Sequence, residues 1–339
     1  MGAQGAERAH IAVLGAGSWG TALAVQCARA GNRVKLWGRA AGQLALMGSE
    51  RVNTRYLPNA LFPEDLQIAP PLAAALADVD DVLVAVPSNG FRDLLTQIEP
   101  LLQPGQRLCW ATKGFEIASG RLPHEVAQQV LGSGRLTAVL SGPTFAREVG
   151  AGLPTAMTIA SRDADYAAIL AHHISNASFR AYTSTDIVGV EVGGAVKNVL
   201  AIGAGLSDGL GFGANARIAL ITRGLMEMTR LGVALGARRE TFMGLAGLGD
   251  LALTCTDDQS RNRRYGLLLA RGLGREAALA EIGQVVEGHL AASALRQVAT
   301  REGVELPICE GIHGVLHQEL EVEEVVRGLM MRPIKAEFG

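Results

Sequence analysis

The chain has 339 residues, of which 48% are hydrophobic, so it is long enough for two packed domains and too apolar for a disordered protein. Its 31 Lys and Arg residues against 33 Asp and Glu give a net charge of −2, which excludes a general basic field for nucleic acid. The 4 cysteines are scattered, without a CxxC or a Cys/His ligand spacing, so we expect neither a zinc site nor a disulfide framework.

The N-terminal residues, MGAQGAERAH, lack the apolar stretch of a secretory signal. No window approaches the ~18 consecutive, strongly apolar and charge-free residues that a membrane-spanning helix needs. We therefore expect a cytoplasmic protein with reduced thiols and no integral membrane segment.

A strand, a turn and a helix open the chain. Residues 10–14, HIAVL, are a short β-branched run that predicts a buried strand, and a helix follows and ends at Gly31. Because later strands alternate with helical stretches, we expect a parallel sheet covered on both faces. These later strands are predicted at 33–39, 81–88, 107–114, 136–144, 155–161 and 179–185.

From about residue 187 the sequence consists of Ala- and Leu-rich helices, with glycine turns and no convincing strands. We expect a doubly wound α/β domain over residues 1–188 and an all-α substrate and catalytic domain over residues 189–339. No linker rich in proline or serine marks the boundary, so the two domains should pack tightly.

Gly15, Gly17 and Gly20 form a GxGxxG motif between the first strand and the first helix. The first glycine permits a tight turn, the second lets the backbone approach a pyrophosphate, and the third allows close helix–strand packing. The motif alone is a weak signal, because a glycine-rich turn without a ligand has the same pattern. Its place in a βαβ unit predicts dinucleotide binding by a Rossmann-type domain.

The residue after the second strand bears on the choice of cofactor. An NAD-specific site usually has Asp or Glu there, which bonds the ribose hydroxyls. This chain has Arg39, and a guanidinium suits a 2′-phosphate, which favours NADP(H). The alternative is an exposed arginine that stacks on the adenine of either cofactor, so NAD(H) and NADP(H) both stay open.

Two later loops follow predicted strands at the same edge of the sheet. ATKGFE puts Lys113 at the carboxyl end of a strand, where open α/β sheets gather ligands. LSGPTFAREV offers backbone N–H groups near Gly142 and the hydroxyl of Thr144. Either loop alone can be an ordinary turn, but both beside the glycine motif favour a substrate cleft.

SRNRRYG, residues 260–266, is a polar and basic stretch of the helical half. Its first three residues supply a hydroxyl, a guanidinium and an amide, which together suit a phosphate or a polyol. Arg263 and Arg264 extend the positive charge. An exposed basic turn is the alternative. Nearby, VVEG places Glu287 close to the expected cofactor, although an ordinary surface glutamate explains it nearly as well.

Lys197 lies in an apolar, glycine-rich helix, EVGGAVKNVLAIGAGLSDGLG. Burial lowers the pKa of an ammonium, so this lysine can protonate an alkoxide as hydride reaches a carbonyl, or accept the proton in reverse. Asp250, after the glycine-rich GLAGLG, suits a buried carboxylate that holds the amine in place. We expect the helix glycines to leave room for substrate and cofactor. A lysine with a buried stem and a solvated head is the alternative.

In combination and order, these motifs resemble bacterial NAD(P)-dependent glycerol-3-phosphate dehydrogenase, from about residue 10 to 315. The longest matching stretches are GAGSWGTALA, LSGPTFAREV, EVGGAVKNVLAIGAGLSDGL and GLAGLGDLALTCT. The resemblance implies reversible hydride transfer between NAD(P)H and dihydroxyacetone phosphate, giving sn-glycerol 3-phosphate for phospholipid synthesis. It also implies a Rossmann domain followed by an α-helical domain, in a homodimer. We expect no metal, because lysines and backbone dipoles can polarise the carbonyl.

The resemblance also assigns residues by motif, with Lys197 as the catalytic lysine and Asp250 as its catalytic partner. The substrate positions that it implies are Lys113, Gly142, Thr144, Lys197, Asp250, Ser260, Arg261 and Asn262. The cofactor positions are Gly15, Gly17, Ser18, Trp19, Gly20, Arg39, Lys113, Ala146, Arg261, Val285 and Glu287. Residues 1–9 and those beyond about 320 lie outside the motifs.

Two other functions fit a Rossmann domain joined to helices. A hydroxyacid or 3-hydroxyacyl-CoA dehydrogenase would rely on a different set, such as a histidine paired with a glutamate. The 7 histidines fall outside the glycine-rich segments that look catalytic, apart from His289 just after VVEG. A nucleotide-sensing protein would have no need of Lys197 as a proton donor.

Overall fold

The computed structural model describes residues 8–333 and residue 336, and eight of its ten strands form one mixed sheet. The strands are β1 (His10–Leu14), β2 (Arg33–Trp37), β3 (Val52–Asn53), β4 (Leu57–Leu61), β5 (Leu66–Ile68), β6 (Asp81–Val84), β7 (Arg107–Trp110), β8 (Thr137–Ser141), β9 (Thr155–Ala160) and β10 (Phe179–Ser184). The sheet order is β10-β9-β8-β7-β6-β1-β2-β5, and β3 and β4 form a separate antiparallel hairpin.

Helices cover both faces of the sheet and form the rest of the chain. Those of the first half are α1 (Ser18–Arg29), α2 (Ala41–Glu50), α3 (Leu72–Leu76), α4 (Phe91–Ile98), α5 (Pro123–Leu131), α6 (Ala146–Ala151) and α7 (Ala164–Ile174). Those of the second half are α8 (Ile187–Gly209), α9 (Gly213–Ala234), α10 (Asp250–Thr256), α11 (Arg261–Ala270), α12 (Arg275–Ile282), α13 (Glu287–Arg301), α14 (Pro307–His317) and α15 (Val322–Met330).

Alternation along β1 explains why the sheet is buried on both faces. Ile11 and Val13 pack into the core beneath α1 and α7, whereas Ala12 and Leu14 pack into the core beneath α4. The predicted fold class, a doubly wound α/β domain followed by an all-α domain, is therefore confirmed.

In the sheet, β2 pairs with β1 on one side and β6 pairs with β1 on the other. The strand order therefore reverses between β1 and β6, which is the topological switch point. Leu14 lies opposite Val84 in this parallel pair. Ligands of open α/β sheets bind outside the carboxyl ends of the strands at such a point. The strands end somewhat earlier than predicted, which leaves the residues after them in loops at this edge.

The expectation of a wholly parallel sheet is wrong at β8 and β9, which pair antiparallel. The connection contains only the six-residue helix α6, which spans about 9 Å. That is too short to carry the chain back along the length of β8, so β9 starts at the edge where β8 ends. No sequence pattern predicts β3, β4 and β5, which are short and irregular, with Pro58 inside β4.

Helix α8 is the centre of the second half, and residues from α8, α9, α11, α13 and α14 share one apolar core. By length and composition it is the one described helix that could cross a membrane, but 94% of its most apolar window is buried inside the protein. Ile187 and Val190 of α8 also join the sheet core beside Trp110. The two halves therefore share packing, as the missing linker predicts. The extreme ends of both predicted domains, 1–7, 334–335 and 337–339, lie outside the described residues.

Candidate active site

Three charged side chains from distant parts of the chain meet at the carboxyl edge of the sheet. Lys113, in the loop after β7, donates from Nζ to Asp250 Oδ2 at 2.7 Å. Lys197, in the middle of α8, donates to the other oxygen, Oδ1, of the same carboxylate. Asp250 is 1% exposed and Lys197 is 7% exposed. One buried carboxylate thus holds two ammonium groups, and this cluster is the centre of the candidate site.

The charges of the cluster depend on one another. Burial lowers the pKa of Lys197 to about 8, and the charge of Lys113 pushes in the same direction, while Asp250 opposes both. Burial alone would raise the pKa of Asp250, but the two lysines outweigh it and hold that pKa below its ordinary value. The site therefore contains an ionised carboxylate and a lysine that can gain or lose a proton near neutral pH. The alternative of a solvated lysine head is excluded.

A close backbone approach brings Asp250 to α8. Residues 245–249 form a turn of π-helix, and α10 then begins at Asp250. A Cβ on Gly193 would lie 2.2 Å from the carbonyl oxygen of Ala246, so only glycine permits this contact. Further along α8, a Cβ on Gly205 would lie 2.0 Å from the carbonyl oxygen of Arg263. At Gly193 and Gly205 the expectation that the helix glycines leave room for ligands is wrong, because neighbouring backbone fills the space.

Two polar residues beside the cluster were not singled out by the motifs. Lys197 Nζ also donates to Thr254 Oγ1 at 3.0 Å, and that hydroxyl donates to the backbone carbonyl of Asp250 at 2.5 Å. Thr254 is one helical turn after Asp250, so the i, i+4 spacing on α10 is the signal that could have found it. Asn198, next to Lys197, donates from Nδ2 to Glu287 Oε2 at 3.1 Å.

In the polar stretch that begins at Ser260, the side chains of this residue and Asn262 form hydrogen bonds within the protein. Ser260 caps α11 by accepting from the backbone N–H of Arg263 at 3.2 Å. Asn262 donates to Asn198 Oδ1 at 3.0 Å and accepts from the backbone N–H of Gly288 at 2.9 Å. Both are buried, so the alternative of an exposed basic turn does not hold for them. They place α11 and α13 against the lysine-bearing helix.

The arginines of this stretch differ from one another. Arg263 is buried and donates to the backbone carbonyl of Cys255 and to the carboxylates of Asp208 and Asp258. The prediction that Arg263 extends a positive surface is therefore wrong, because acidic side chains neutralise it. Arg261 is half-buried, and its contact with Gln284 is long, at 3.4 Å. Its guanidinium therefore retains donors for an anion.

The glycine motif has the geometry that its pattern predicts. Gly15 has a φ of +127°, and a Cβ on Gly20 would lie 1.8 Å from the carbonyl oxygen of Gly15. Around Gly17, in contrast, a Cβ would meet nothing within 4 Å among the described residues. The indole nitrogen of Trp19 is buried and has no hydrogen-bond partner in the same part of the chain. A glycine facing open space at a helix N-terminus and an unused donor fit a dinucleotide phosphate.

The remaining predicted cofactor residues lie at or next to the ends of strands and helices. Arg39 is exposed after β2 and makes no hydrogen bond or ion pair with any residue that the structure describes. Ser18 begins α1 and Ala146 begins α6, each at the carboxyl edge of the sheet. Val285 is exposed, and Glu287 begins α13. None of these is in hydrogen-bond contact with the lysine cluster.

The loop after β8 borders the lysine cluster. Thr144 donates from Oγ1 to the carbonyl of Gly142 at 3.1 Å. Ser141, just before it, is buried, and its hydroxyl has no partner among the described residues. A Cβ on Gly194 would lie 3.3 Å from that hydroxyl and 3.4 Å from Lys113 Cγ. Ser141, which the sequence analysis missed, thus offers an unused hydroxyl beside Lys113.

Metal chemistry has no visible ligand set here. Within residues 8–333 and 336, no group of three or more His, Cys, Asp or Glu side chains is placed to hold a metal ion. The polar groups of the cluster are two ammonium groups, a carboxylate and a hydroxyl. This arrangement can move a proton and stabilise a developing negative charge.

Comparison with known proteins adds independent observations. Two family models match, NAD-dependent glycerol-3-phosphate dehydrogenase N-terminus over residues 10–167 and the C-terminus of the same family over residues 186–327. Glycerol-3-phosphate dehydrogenase, NAD(P)+, of Pseudoalteromonas translucida is 54% identical over 328 residues, covering 96% of this chain and 98% of the relative. The same-named protein of Actinobacillus pleuropneumoniae is 52% identical over 330 residues, covering 97% and 98%. The crystal structure of glycerol-3-phosphate dehydrogenase from Coxiella burnetii superposes with a TM-score of 0.92, at 46% identity, over 96% of this chain and 99% of that one.

Proposed function

The chain belongs to the NAD-dependent glycerol-3-phosphate dehydrogenase family, and we propose that Lys197 is the acid–base group of its reaction. The enzyme interconverts dihydroxyacetone phosphate and sn-glycerol 3-phosphate with NAD(P)(H). The observation that carries the proposal is the buried carboxylate of Asp250 with a lysine on each oxygen. This cluster lies at the edge of the sheet where the glycine motif begins its helix.

Each member of the cluster has a distinct task. A bound nicotinamide supplies the hydride that reduces C2 of dihydroxyacetone phosphate. Lys197 donates a proton to the C2 oxygen, and in the reverse direction its neutral amine accepts the proton of the C2 hydroxyl. Lys113 provides a second positive charge where that oxygen becomes negative. Asp250 and Thr254 hold the amine of Lys197 in place. Hydride and proton together are the two hydrogens that the substrate gains.

The substrate phosphate and hydroxyls need further donors. We assign contact roles to Gly142, Thr144, Ser260, Arg261 and Asn262, as the family motifs imply. Of these residues, Arg261 is the best suited to bind the phosphate, because its guanidinium is half-buried and its hydrogen bond to Gln284 is long. Ser260 and Asn262 act mainly by placing α11, since their side chains already bond the backbone of Arg263 and Gly288.

The cofactor is placed at the glycine motif. Open space at Gly17 and the unused donor of Trp19 support this site. The residues assigned to it are Gly15, Gly17, Ser18, Trp19, Gly20, Arg39, Lys113, Ala146, Arg261, Val285 and Glu287. The wider proposal assigns residues 1–188 to the cofactor and 189–339 to substrate and catalysis, in a cytoplasmic homodimer that supplies phospholipid synthesis.

Reduction and oxidation should respond to pH in opposite ways. Lys197 must be protonated to donate, and its pKa lies at about 8. We expect kcat/KM for dihydroxyacetone phosphate to be steady at lower pH and to fall about tenfold per pH unit above pH 8. Oxidation of glycerol 3-phosphate needs the neutral amine, so it should rise about tenfold per pH unit below pH 8 and level off above it. Initial rates of both reactions, measured across this pH range, check this. Rates that change with pH in the same sense for reduction and oxidation would contradict it.

Arg39 should decide between the two nicotinamide cofactors. A guanidinium that binds the 2′-phosphate contributes about 1.5–3 kcal/mol, so Arg39→Ala should raise KM for NADPH about tenfold or more. KM for NADH should change less than about twofold. Arg33→Ala is the matched control, because Arg33 is equally exposed at the opposite end of the same strand. Equal losses with NADH and NADPH would instead indicate stacking on adenine.

Initial rates with dihydroxyacetone phosphate and each nicotinamide cofactor test substrate and cofactor together. We expect consumption of NADPH that depends on dihydroxyacetone phosphate. A protein that binds the cofactor without consuming it would be a nucleotide sensor. Turnover only with a hydroxyacid or a hydroxyacyl-CoA would indicate another dehydrogenase, and either result would overturn the proposal.

A further inference from the structure

We propose that Glu191 is a positioning residue, which fixes the segment bearing Lys113 against the helix bearing Lys197. Glu191 lies on α8, six residues before Lys197, and is 3% exposed. It belongs to neither the substrate nor the cofactor residues assigned above. The inference rests on the proposed roles of the two lysines.

Three donors converge on the carboxylate of Glu191, and all come from the α/β half of the chain. Oε1 accepts from Trp110 Nε1 at 2.9 Å and from the backbone N–H of His124 at 3.0 Å. Oε2 lies 2.5 Å from His124 Nδ1. A buried carboxylate with three partners is tightly held, since losing any of them leaves a polar group unpaired.

The two donor residues bracket the segment that carries Lys113. Trp110 is the last residue of β7, and His124 is in the first turn of α5, so residues 111–123 lie between them. Both ends of this segment are therefore bound to one side chain of α8. The backbone N–H of His124 lies in the first turn of its helix, where no carbonyl of that helix can accept from it, so Glu191 pairs a donor that the capping box of α5 leaves free.

Helix geometry transmits this attachment to Lys197. Six residues of α-helix span about 9 Å, and both residues lie on the one continuous helix α8. The Nζ atoms of the two lysines meet at Asp250, but that contact joins only the ends of two long side chains. Glu191 joins the backbones from which those side chains extend. The position of Lys113 relative to Lys197 thus depends on the Glu191 carboxylate.

The pKa shifts of Glu191 and His124 reflect the hydrogen bond between them. Burial raises the pKa of Glu191, and the donors from His124 and Trp110 oppose that rise. Burial lowers the pKa of His124, but the hydrogen bond and the charge of Glu191 raise it by more. The charge of Glu125 also raises this pKa, and that of Arg162 lowers it, both by smaller amounts.

Glu191→Met removes every acceptor while keeping an unbranched side chain of similar size. We expect KM for dihydroxyacetone phosphate to rise about tenfold and kcat to fall, since a misplacement of about 1 Å can cost up to 10²-fold. Kd for NADPH should rise less than KM for dihydroxyacetone phosphate, because Lys113 is the one assigned cofactor residue on the segment that Glu191 holds. Glu191→Gln keeps an oxygen for Trp110 and for the His124 N–H, so it should restore KM to within about threefold of wild type.

Glu227→Met is the matched control for the loss of a buried carboxylate. Glu227 is also 3% exposed and also caps a helix, accepting from the backbone N–H groups of Ile308 and Cys309 at 2.7 and 3.1 Å. It lies on α9, away from the lysines. Its variant should lower Tm as Glu191→Met does, without raising KM for dihydroxyacetone phosphate. An equal rise in KM for both variants would show that Glu191 has only a structural role.

A double-mutant cycle with Lys113→Ala separates the inference from the proposed function. Lys113→Ala alone should raise KM about tenfold, and adding Glu191→Met should raise it less than about twofold further. Additive effects would overturn the inference alone. A Lys113→Ala variant with wild-type KM would overturn the proposed role of Lys113 and the inference with it. If Glu191→Met does not fold, Trp110→Phe removes one of the three donors and replaces it in the same cycle, with the same outcomes.

Discussion

Replacing Lys197 with alanine should reduce kcat for dihydroxyacetone phosphate reduction about 10³-fold or more. A positioned acid–base group contributes up to about 10⁴-fold, and Lys197 also supplies charge to the developing alkoxide. Binding of NADPH should stay nearly intact, because the glycine motif lies on other elements. Initial rates and fluorescence titration with NADPH measure the two effects separately. A variant that keeps about a tenth of wild-type kcat would show that Lys197 does not transfer the proton.

Two further lysine variants separate proton transfer from charge and from general stability. Lys197→Arg keeps a positive charge but cannot lose its proton near neutral pH, so it should stay inactive. Lys35→Ala is the control at a distance, because Lys35 bonds only the carbonyls of Ala74 and Ala77 among described residues, at 3.2 and 2.7 Å. Its kcat should equal that of wild type.

Asp250→Asn should have the second largest effect, with a characteristic dependence on pH. The carboxylate holds the pKa of Lys197 up against burial and against Lys113. Without it that pKa falls, so Lys197 is mostly neutral near pH 7.5 and reduction should slow about 10²-fold. Activity should return in part as the pH is lowered, because Lys197 is then protonated again. A loss of the same factor at every pH would show that Asp250 does not control this proton.

Asp81→Asn is the matched control for Asp250→Asn. Asp81 is also fully buried and ionically paired, accepting from Arg107 Nε and Nη2 at 2.8 Å each. It begins β6, at the amino edge of the sheet, about 10 Å or more from the catalytic edge. Breaking this pair should lower Tm without moving the pH at which reduction is lost.

Much of the fold follows from local pattern. Short β-branched runs followed by glycine turns predict the strands that lead into the site, and the switch to Ala- and Leu-rich helices predicts the all-α half. The antiparallel pairing of β9 with β8 does not follow from such patterns, because it depends on the length of α6. Likewise β3 to β5 are too short for periodicity to identify.

The site is predicted residue by residue, but its connections are not. Motif resemblance singles out Lys113, Lys197 and Asp250 separately. That both lysines bond one carboxylate depends on a tertiary contact, the approach of α8 to the π-helical turn before Asp250. The glycines of α8 illustrate the same limit, because their sequence fits both an open pocket and a close backbone contact. The position of Ala246 decides between these two at Gly193, and that of Arg263 decides at Gly205.

The pH dependence of kcat/KM in wild type and Lys197→Ala, measured side by side, tests most directly whether Lys197 carries the proton of the reaction. We predict that wild-type reduction of dihydroxyacetone phosphate is lost as the pH rises through about 8. The residual rate of Lys197→Ala should show no such loss in this interval. If the variant loses its residual rate at the same pH as wild type, another group holds that proton and the account is wrong.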